Sequence, residues 1–232
     1  AYARQNALDQ AERETLRLRR NTRFAAEIAQ IEAADQSWTP LGPQPLNAPA
    51  NFAFPGVHSG RVSAIALHPQ YDGSSNKTIY VGGAQGGVWR SLDNGQTWTP
   101  LMDDQPTQAV GSIAIDPTNA NTIYIGTGEG NRAADTYYGA GILKSTNGGA
   151  SWSVIAGPIS TLAPQKPVFV NAAIPKIAID PVTPNVIFAA TTIGSTASAS
   201  DGVETVESGK QKGLWKSTDS GATWRNVDPD GS

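Results

Sequence analysis

The chain has no cysteine, two histidines and one methionine among its 232 residues. Disulfide scaffolds and cysteine-based zinc sites are thereby excluded. The two histidines, His58 and His68, form no His-x-x-x-His pattern, so no metal centre is expected. Charge is scarce, at 16% of residues, and the net charge is −3 with a pI near 5.4. A dedicated nucleic-acid binder carries a basic field, so no nucleic-acid partner is expected. No apolar run approaches the roughly 18 residues of a membrane-spanning helix, so no membrane span is expected. Neither Gly83–Gly87 nor Gly128–Gly130 opens a helix, which excludes phosphate-binding loops. No G-x-S-x-G nucleophile elbow occurs. Nothing in the sequence implies a cofactor.

What the chain does hold is 24 glycines and 16 prolines, spread very unevenly. Residues 4–34 contain neither. That stretch carries Arg4, Arg13, Arg17, Arg19, Arg20 and Arg23, offset by acids such as Glu12 and Glu27. Leu8, Ala11 and Leu18, and then Phe24, Ile28 and Ile31, recur at helical spacing, which predicts a helical arm over residues 1–35. The opening Ala1-Tyr2-Ala3 reads as the tail of a signal-peptidase site, giving an expectation of export to an extracytoplasmic location: periplasm, cell surface or medium.

From residue 36 to 232 the pattern is of short strands and frequent turns, and it repeats. The segments Val62-Ser-Ala-Ile-Ala-Leu-His-Pro69, Val110-Gly-Ser-Ile-Ala-Ile-Asp-Pro117 and Ile174-Pro-Lys-Ile-Ala-Ile-Asp-Pro181 align without gaps. Such near-continuous apolar runs predict strands buried on both faces. Each is followed by a second strand (78–82, 122–126, 186–190), a third (87–91, 141–145, 213–217) and a fourth (97–101, 151–155, 223–227). Four strands per unit is the arithmetic of β-propeller blades. The blades are expected at about 60–103, 108–157 and 170–228. Gln36-Ser-Trp-Thr-Pro-Leu41 matches Gln96-Thr-Trp-Thr-Pro-Leu101, which predicts an outermost strand of a closing blade at 37–41. The expectation is therefore an all-β propeller of four-stranded antiparallel blades, three plus one orphan strand, preceded by the helical arm.

The turn between third and fourth strands is the most specific motif. It reads Ser91-Leu-Asp93-Asn-Gly95-Gln-Thr-Trp98, Ser145-Thr-Asn147-Gly-Gly149-Ala-Ser-Trp152 and Ser217-Thr-Asp219-Ser-Gly221-Ala-Thr-Trp224. The Asp or Asn oxygen is suited to accept backbone N–H groups within the turn, and the glycine to adopt positive φ. These octamers resemble the Asp-box, S-x-D-x-G-x-[TS]-W, of BNR-repeat propellers. That family includes sialidases, xyloglucan-cleaving endoglucanases, sortilin-like receptors and a photosystem assembly-factor propeller. The resemblance covers about residues 38–232. It implies that the box is structural and lies on the face opposite the functional one.

The functional face then carries the loops between second and third strands. The candidate ligand residues there are Gln85 in the first blade, and Glu129, Asn131, Arg132, Asp135, Tyr137 and Tyr138 in the second. Arg61, just before the first inner strand, points to the same face and is expected to pair with Glu129 or with a ligand acid. The resemblance also supplies two catalytic patterns that this sequence does not match. Xyloglucan-cleaving relatives place a catalytic Asp in D-x-G-G of the first blade, where this chain has Ala84-Gln85-Gly86-Gly87. Sialidases carry an early F/Y-R-x-P motif, which is absent. Glu129 and Asp135 are the only nearby acidic pair on this face, whereas a glycosidase requires two carboxyls flanking the bond. The expected role is accordingly non-catalytic: a propeller that binds a protein or glycan, or scaffolds an assembly. The alternative is a glycoside hydrolase with part of its catalytic set outside this segment. Three blades do not close a ring, so the remainder of a longer chain or a second copy is expected to complete it.

Overall fold

The computed structural model describes residues 46–48, 56–58, 60–130, 137–159, 167–193 and 213–228. The expected helical arm (1–35) and outer strand (37–41) lie outside the described residues, as does most of the third blade's long loop. A short hairpin, β1 (Leu46–Ala48) with β2 (Gly56–His58), precedes three four-stranded antiparallel sheets. Blade 1 is β3 (Val62–Leu67), β4 (Ile79–Gly83), β5 (Val88–Ser91) and β6 (Thr99–Pro100). Blade 2 is β7 (Val110–Ile115), β8 (Ile123–Thr127), β9 (Ile142–Ser145) and β10 (Ser153–Ile155). Blade 3 is β11 (Ala172–Ile179), β12 (Ile187–Ile193), β13 (Gly213–Ser217) and β14 (Arg225–Asn226). Each sheet runs in chain order from innermost to outermost strand. Every described element is a strand.

The core lies between blades. One cluster joins Tyr80, Val88 and Met102 of blade 1 to Val110, Ile123 and Leu143 of blade 2. A second joins Tyr124 and Ile142 of blade 2 to Ile174, Ile177, Ile187 and Trp215 of blade 3. Serine hydroxyls cross the same seams: half-buried Ser63 donates to the Val110 carbonyl (2.6 Å) and buried Ser112 to the Ile174 carbonyl (2.8 Å). The sequence predicted three equivalent inner strands, each buried on both faces. The structure differs. Residues of β7 alternate between buried and half-buried, whereas β3 leaves Val62, Ile65 and Leu67 exposed at 47%, 67% and 50%. The physical reason is position. Blade 2 is flanked by blades 1 and 3, while among the described residues blade 1 has a blade on one side only.

The octamer turns explain themselves atom by atom. In blade 1 the Asp93 Oδ1 accepts the N–H groups of Gln96 and Thr97 (both 2.9 Å), and Thr97 Oγ1 donates to Oδ2 (2.6 Å). Ser91 Oγ accepts from the Gly95 N–H (2.7 Å). Gly95 has φ of 87°, where a side chain would be strained. Blade 3 repeats this with Asp219, Thr223, Ser217 and Gly221. In blade 2 the amide oxygen of Asn147 takes the carboxylate's place and accepts from the Ser151 N–H (2.9 Å).

These contacts hold the carboxyls of Asp93 and Asp219 down at about 2, chiefly through the threonine hydroxyl and amide. Their folded values lie below the ordinary 3.8, so the stability they contribute is present above about pH 4 and is lost as pH falls toward 2. Asn147 carries no such dependence. Replacing both aspartates (D93N/D219N) is therefore expected to flatten the acid limb of an unfolding titration between pH 4 and 2. An unchanged limb would show that the turns do not contribute to acid sensitivity.

Candidate functional site

The turns described above lie at one end of the blades. At the other end meet the approach to β3, the β4–β5 turn, the β8–β9 loop and the connection from β6 to β7. Backbone hydrogen bonds tie these segments together. Ala84 N–H donates to the Arg61 carbonyl (2.8 Å), and Gly87 N–H to the Gln108 carbonyl (2.9 Å). Gly128 N–H donates to Ala109 (2.9 Å) and Glu129 N–H to Tyr137 (3.1 Å). Gly128 has φ of 81°, and a Cβ there would sit 2.6 Å from the Ala172 carbonyl oxygen. Only glycine lets the β8–β9 loop turn this close to blade 3.

On this platform the Arg61 guanidinium meets the Glu129 carboxylate at 2.6 Å. The pairing links blade 1 to blade 2. The Glu129 side chain is 1% exposed and that of Arg61 41%. The second carboxylate oxygen of Glu129, Oε1, is buried without a hydrogen-bond partner among the described residues. Leaving such an acceptor unmatched costs about 1–3 kcal/mol. Native folds satisfy nearly all buried polar groups, and the exceptions call for an explanation.

Beside this pair is a cleft of about 290 Å³ lined by Gln85, Pro106, Thr107, Gln108, Ala109 and Tyr137. Tyr137 is 53% exposed, and Gln85 is exposed too. Thr107 Oγ1 donates to the Tyr138 carbonyl (3.3 Å), and Gln108 Nε2 to the Met102 carbonyl (2.6 Å), so the cleft wall is internally braced. An exposed aromatic ring beside amide and hydroxyl groups is chemistry suited to a sugar: a flat apolar face with hydrogen-bonding edges.

Of the candidates named from sequence, Arg61, Gln85, Glu129, Tyr137 and Tyr138 share this face. Asn131, Arg132 and Asp135 lie outside the described residues. Pro106, Thr107 and Gln108 were not anticipated. They sit in a blade-to-blade connection whose composition reads as an ordinary turn. The available signal was topological, since such connections emerge on the same face as the β4–β5 and β8–β9 loops. Ala84, at the position expected from D-x-G-G to hold an Asp, is 4% exposed and serves as a backbone donor. Among the described residues no three His, Cys, Asp or Glu side chains gather as a metal site would require. No helix among them is long and apolar enough to cross a membrane.

Three four-stranded antiparallel blades, with a cleft where the β4–β5 and β8–β9 loops meet the β6–β7 connection, place the molecule among β-propellers. No protein-family model matches the chain. Its curated relatives include xyloglucanase Xgh74A of Acetivibrio thermocellus, 30% identical over 161 residues, which is 65% of this chain and 16% of that enzyme. A xyloglucanase of Hypocrea jecorina is 31% identical over 140 residues, 55% of this chain and 15% of that enzyme. The crystal structure of an ancestral GH74 enzyme matches with a TM-score of 0.51 at 23% identity, over 84% of this chain and 20% of its own. That likeness establishes the fold. The chain spans only about a sixth of the length of the curated relatives it matches.

Proposed function

We propose that these blades form a polysaccharide-binding portion of an extracytoplasmic glycoside hydrolase of the xyloglucanase kind. The observation that carries this reading is the similarity to two xyloglucanases across more than half of the chain. It favours the hydrolase alternative over the non-catalytic scaffold expected from sequence. The cleft supports it: Tyr137 supplies a stacking platform, and Gln85 and Thr107 supply polar edges. In this reading the three octamers are Asp-box turns that hold the blades and take no part in chemistry.

Hydrolysis requires two carboxyls flanking the scissile bond. Ala84 removes one from the first blade. Among the described residues Glu129 is buried and ion-paired beside the cleft, and Asp103 and Asp104 in the β6–β7 connection are exposed. Among the described residues no carboxyl lines the cleft, so in this reading these blades bind and orient glycan.

The test is calorimetry with xyloglucan oligosaccharides, alongside a reducing-end assay. Binding is expected, and Tyr137→Ala is expected to weaken it about tenfold, the equivalent of 1.4 kcal/mol. Release of new reducing ends by this chain alone is not expected. Failure to bind xyloglucan oligosaccharides, or equal affinity with and without the Tyr137 ring, would sink the reading.

A further inference from the structure

The octamer turns of blades 1 and 2 hold the chain's two Asn-Gly dipeptides, Asn94-Gly95 and Asn147-Gly148. Asn-Gly is the dipeptide at which an asparagine side chain most readily loses ammonia, because glycine has no Cβ to hinder the approach of its own nitrogen. That nitrogen, once hydroxide has taken its proton, attacks the asparagine Cγ. The bond from Cγ to the side-chain nitrogen breaks, and ammonia leaves. Water then opens the cyclic imide at either carbonyl, giving aspartate or, with the main chain rerouted through Cγ, isoaspartate. In balance, amide and water become carboxylate and ammonium. In a folded turn the glycine N–H and the carboxamide must both be released before the attack.

The two turns hold these groups unequally. Asn147 stands at the third octamer position, where blades 1 and 3 have Asp93 and Asp219. Its Oδ1 accepts from the Ser151 N–H and the Ser145 hydroxyl (both 2.9 Å), and its Nδ2 donates to Ser151 Oγ (2.8 Å). Gly148 is buried and held from both sides. Its N–H donates to the Asn121 carbonyl (2.9 Å), and its carbonyl accepts from Arg90 Nη1 across the seam between blades (3.2 Å). Asn94 stands one octamer position later and is exposed. Its carboxamide makes one hydrogen bond among the described residues, from Nδ2 to the Gly73 carbonyl (3.1 Å). The Gly95 N–H donates to Ser91 Oγ (2.7 Å), a hydroxyl that also serves Asp93. The Asn94 φ of 61° lies in the left-handed region, which suits a residue with a side chain less well than it suits glycine.

We propose that Asn94 is a deamidation site of the folded chain, and that Asn147, though followed by the same residue, is shielded by the turn it helps to build. The chemistry at the two dipeptides is alike, so local opening sets the order. Each further hydrogen bond that must be released lowers the population of the reactive form. Release at Asn94 breaks one carboxamide bond, and release at Asn147 breaks three. The product puts a second carboxylate beside Asp93. Isoaspartate also adds a methylene to the main chain, inside a turn whose successive φ values are 61° and 87°. Ageing of the protein therefore loosens the octamer of blade 1 and spares that of blade 2.

The experiment is peptide mapping by mass spectrometry on the full chain, held folded in mildly alkaline buffer and, in parallel, unfolded in guanidinium chloride. In the unfolded sample the two asparagines are expected to convert at similar rates. In the folded sample Asn94 is expected to convert at least about tenfold faster than Asn147. Ser151→Ala, at an exposed position, removes the acceptor of the Asn147 Nδ2 bond. It is expected to speed conversion of Asn147 about threefold and to leave Asn94 unchanged. Equal rates at the two sites of the folded chain overturn the proposal. So does the same disparity in the unfolded sample, which would assign the order to sequence and not to the turns. A folded chain in which neither site converts while the unfolded sample is consumed overturns it too, as does S151A with Asn147 as slow as in the wild type.

Discussion

Truncation of Phe169 to alanine is expected to cost about 3–5 kcal/mol of unfolding free energy. Phe169 is fully buried, and it packs edge-on against two indoles, Trp215 at 5.6 Å and Trp224 at 5.3 Å between ring centroids. Each such aromatic pair adds about 0.5–1.5 kcal/mol beyond area burial. The main-chain bend at Gly157 closes over the same ring, and the Phe169 N–H donates to the Ala156 carbonyl (3.0 Å), so the surrounding backbone cannot easily collapse into the hole. For a domain of this size, a loss of that magnitude lowers Tm by very roughly 6–20 °C. Phe169→Leu keeps most of the volume and is expected to cost under half as much. A urea titration that finds F169A within about 1 kcal/mol of wild type would refute this assignment of the wedge. The effect reaches the candidate site as well. Ala172 and Asn171, just beyond the ring, exchange hydrogen bonds of 3.0 and 2.9 Å with Gly139 of the β8–β9 loop. Loosening the wedge therefore loosens the loop that carries Glu129 and Tyr137.

Phe169 also marks the limit of what could be read from the sequence. The strands and octamer turns were legible because they recur. Three aligned copies of [Val/Ile]-x-x-Ile-Ala-[Ile/Leu], each followed by the same serine–Asp/Asn–glycine–tryptophan turn, over-determine the blade. Asp93 and Asp219 could be assigned their turn contacts because those contacts are local. Connections between blades do not recur. The segment holding Phe169 has no counterpart between blades 1 and 2, so no alignment marked the residue as core. The burial of the inner strands was misjudged for a related reason. Val62 and Val110 are equivalent in sequence, yet one is half exposed and the other fully buried. The difference lies in which blade stands alongside, and that is a tertiary fact. The meeting of Arg61 with Glu129 was anticipated because both flank strands that end on the same face. The cleft wall of Pro106, Thr107 and Gln108 was missed because turn-like composition is equally common in connections that line nothing.

Breaking that ion pair is expected to destabilise the fold by an amount that depends on which partner is removed. Breaking a buried pair by deleting one member costs about 3–5 kcal/mol when the remaining charge stays buried. Arg61 keeps 41% of its side-chain surface exposed, which screens part of the interaction and reduces the expected figure to about 2–3 kcal/mol for Arg61→Met. That variant leaves the Glu129 carboxylate, 1% exposed and already holding one unmatched oxygen, with no counter-charge among the described residues. Glu129→Gln is different. It keeps the shape, removes the buried charge, and leaves Arg61 with access to water, so the expected cost is about 1 kcal/mol. The double variant R61M/E129Q has no buried charge to strand and is expected to recover most of what R61M loses. The thermodynamic cycle should then give a coupling of at least 1 kcal/mol. Equal costs for the two single changes, or strict additivity in the double, would mean that the contact does not hold blade 1 to blade 2. Glycan affinity separates the remaining roles. If Glu129 only clamps the blades, E129Q will bind xyloglucan oligosaccharides as tightly as wild type once folded. If its unmatched oxygen serves the ligand, affinity will fall while stability stays within about 1 kcal/mol.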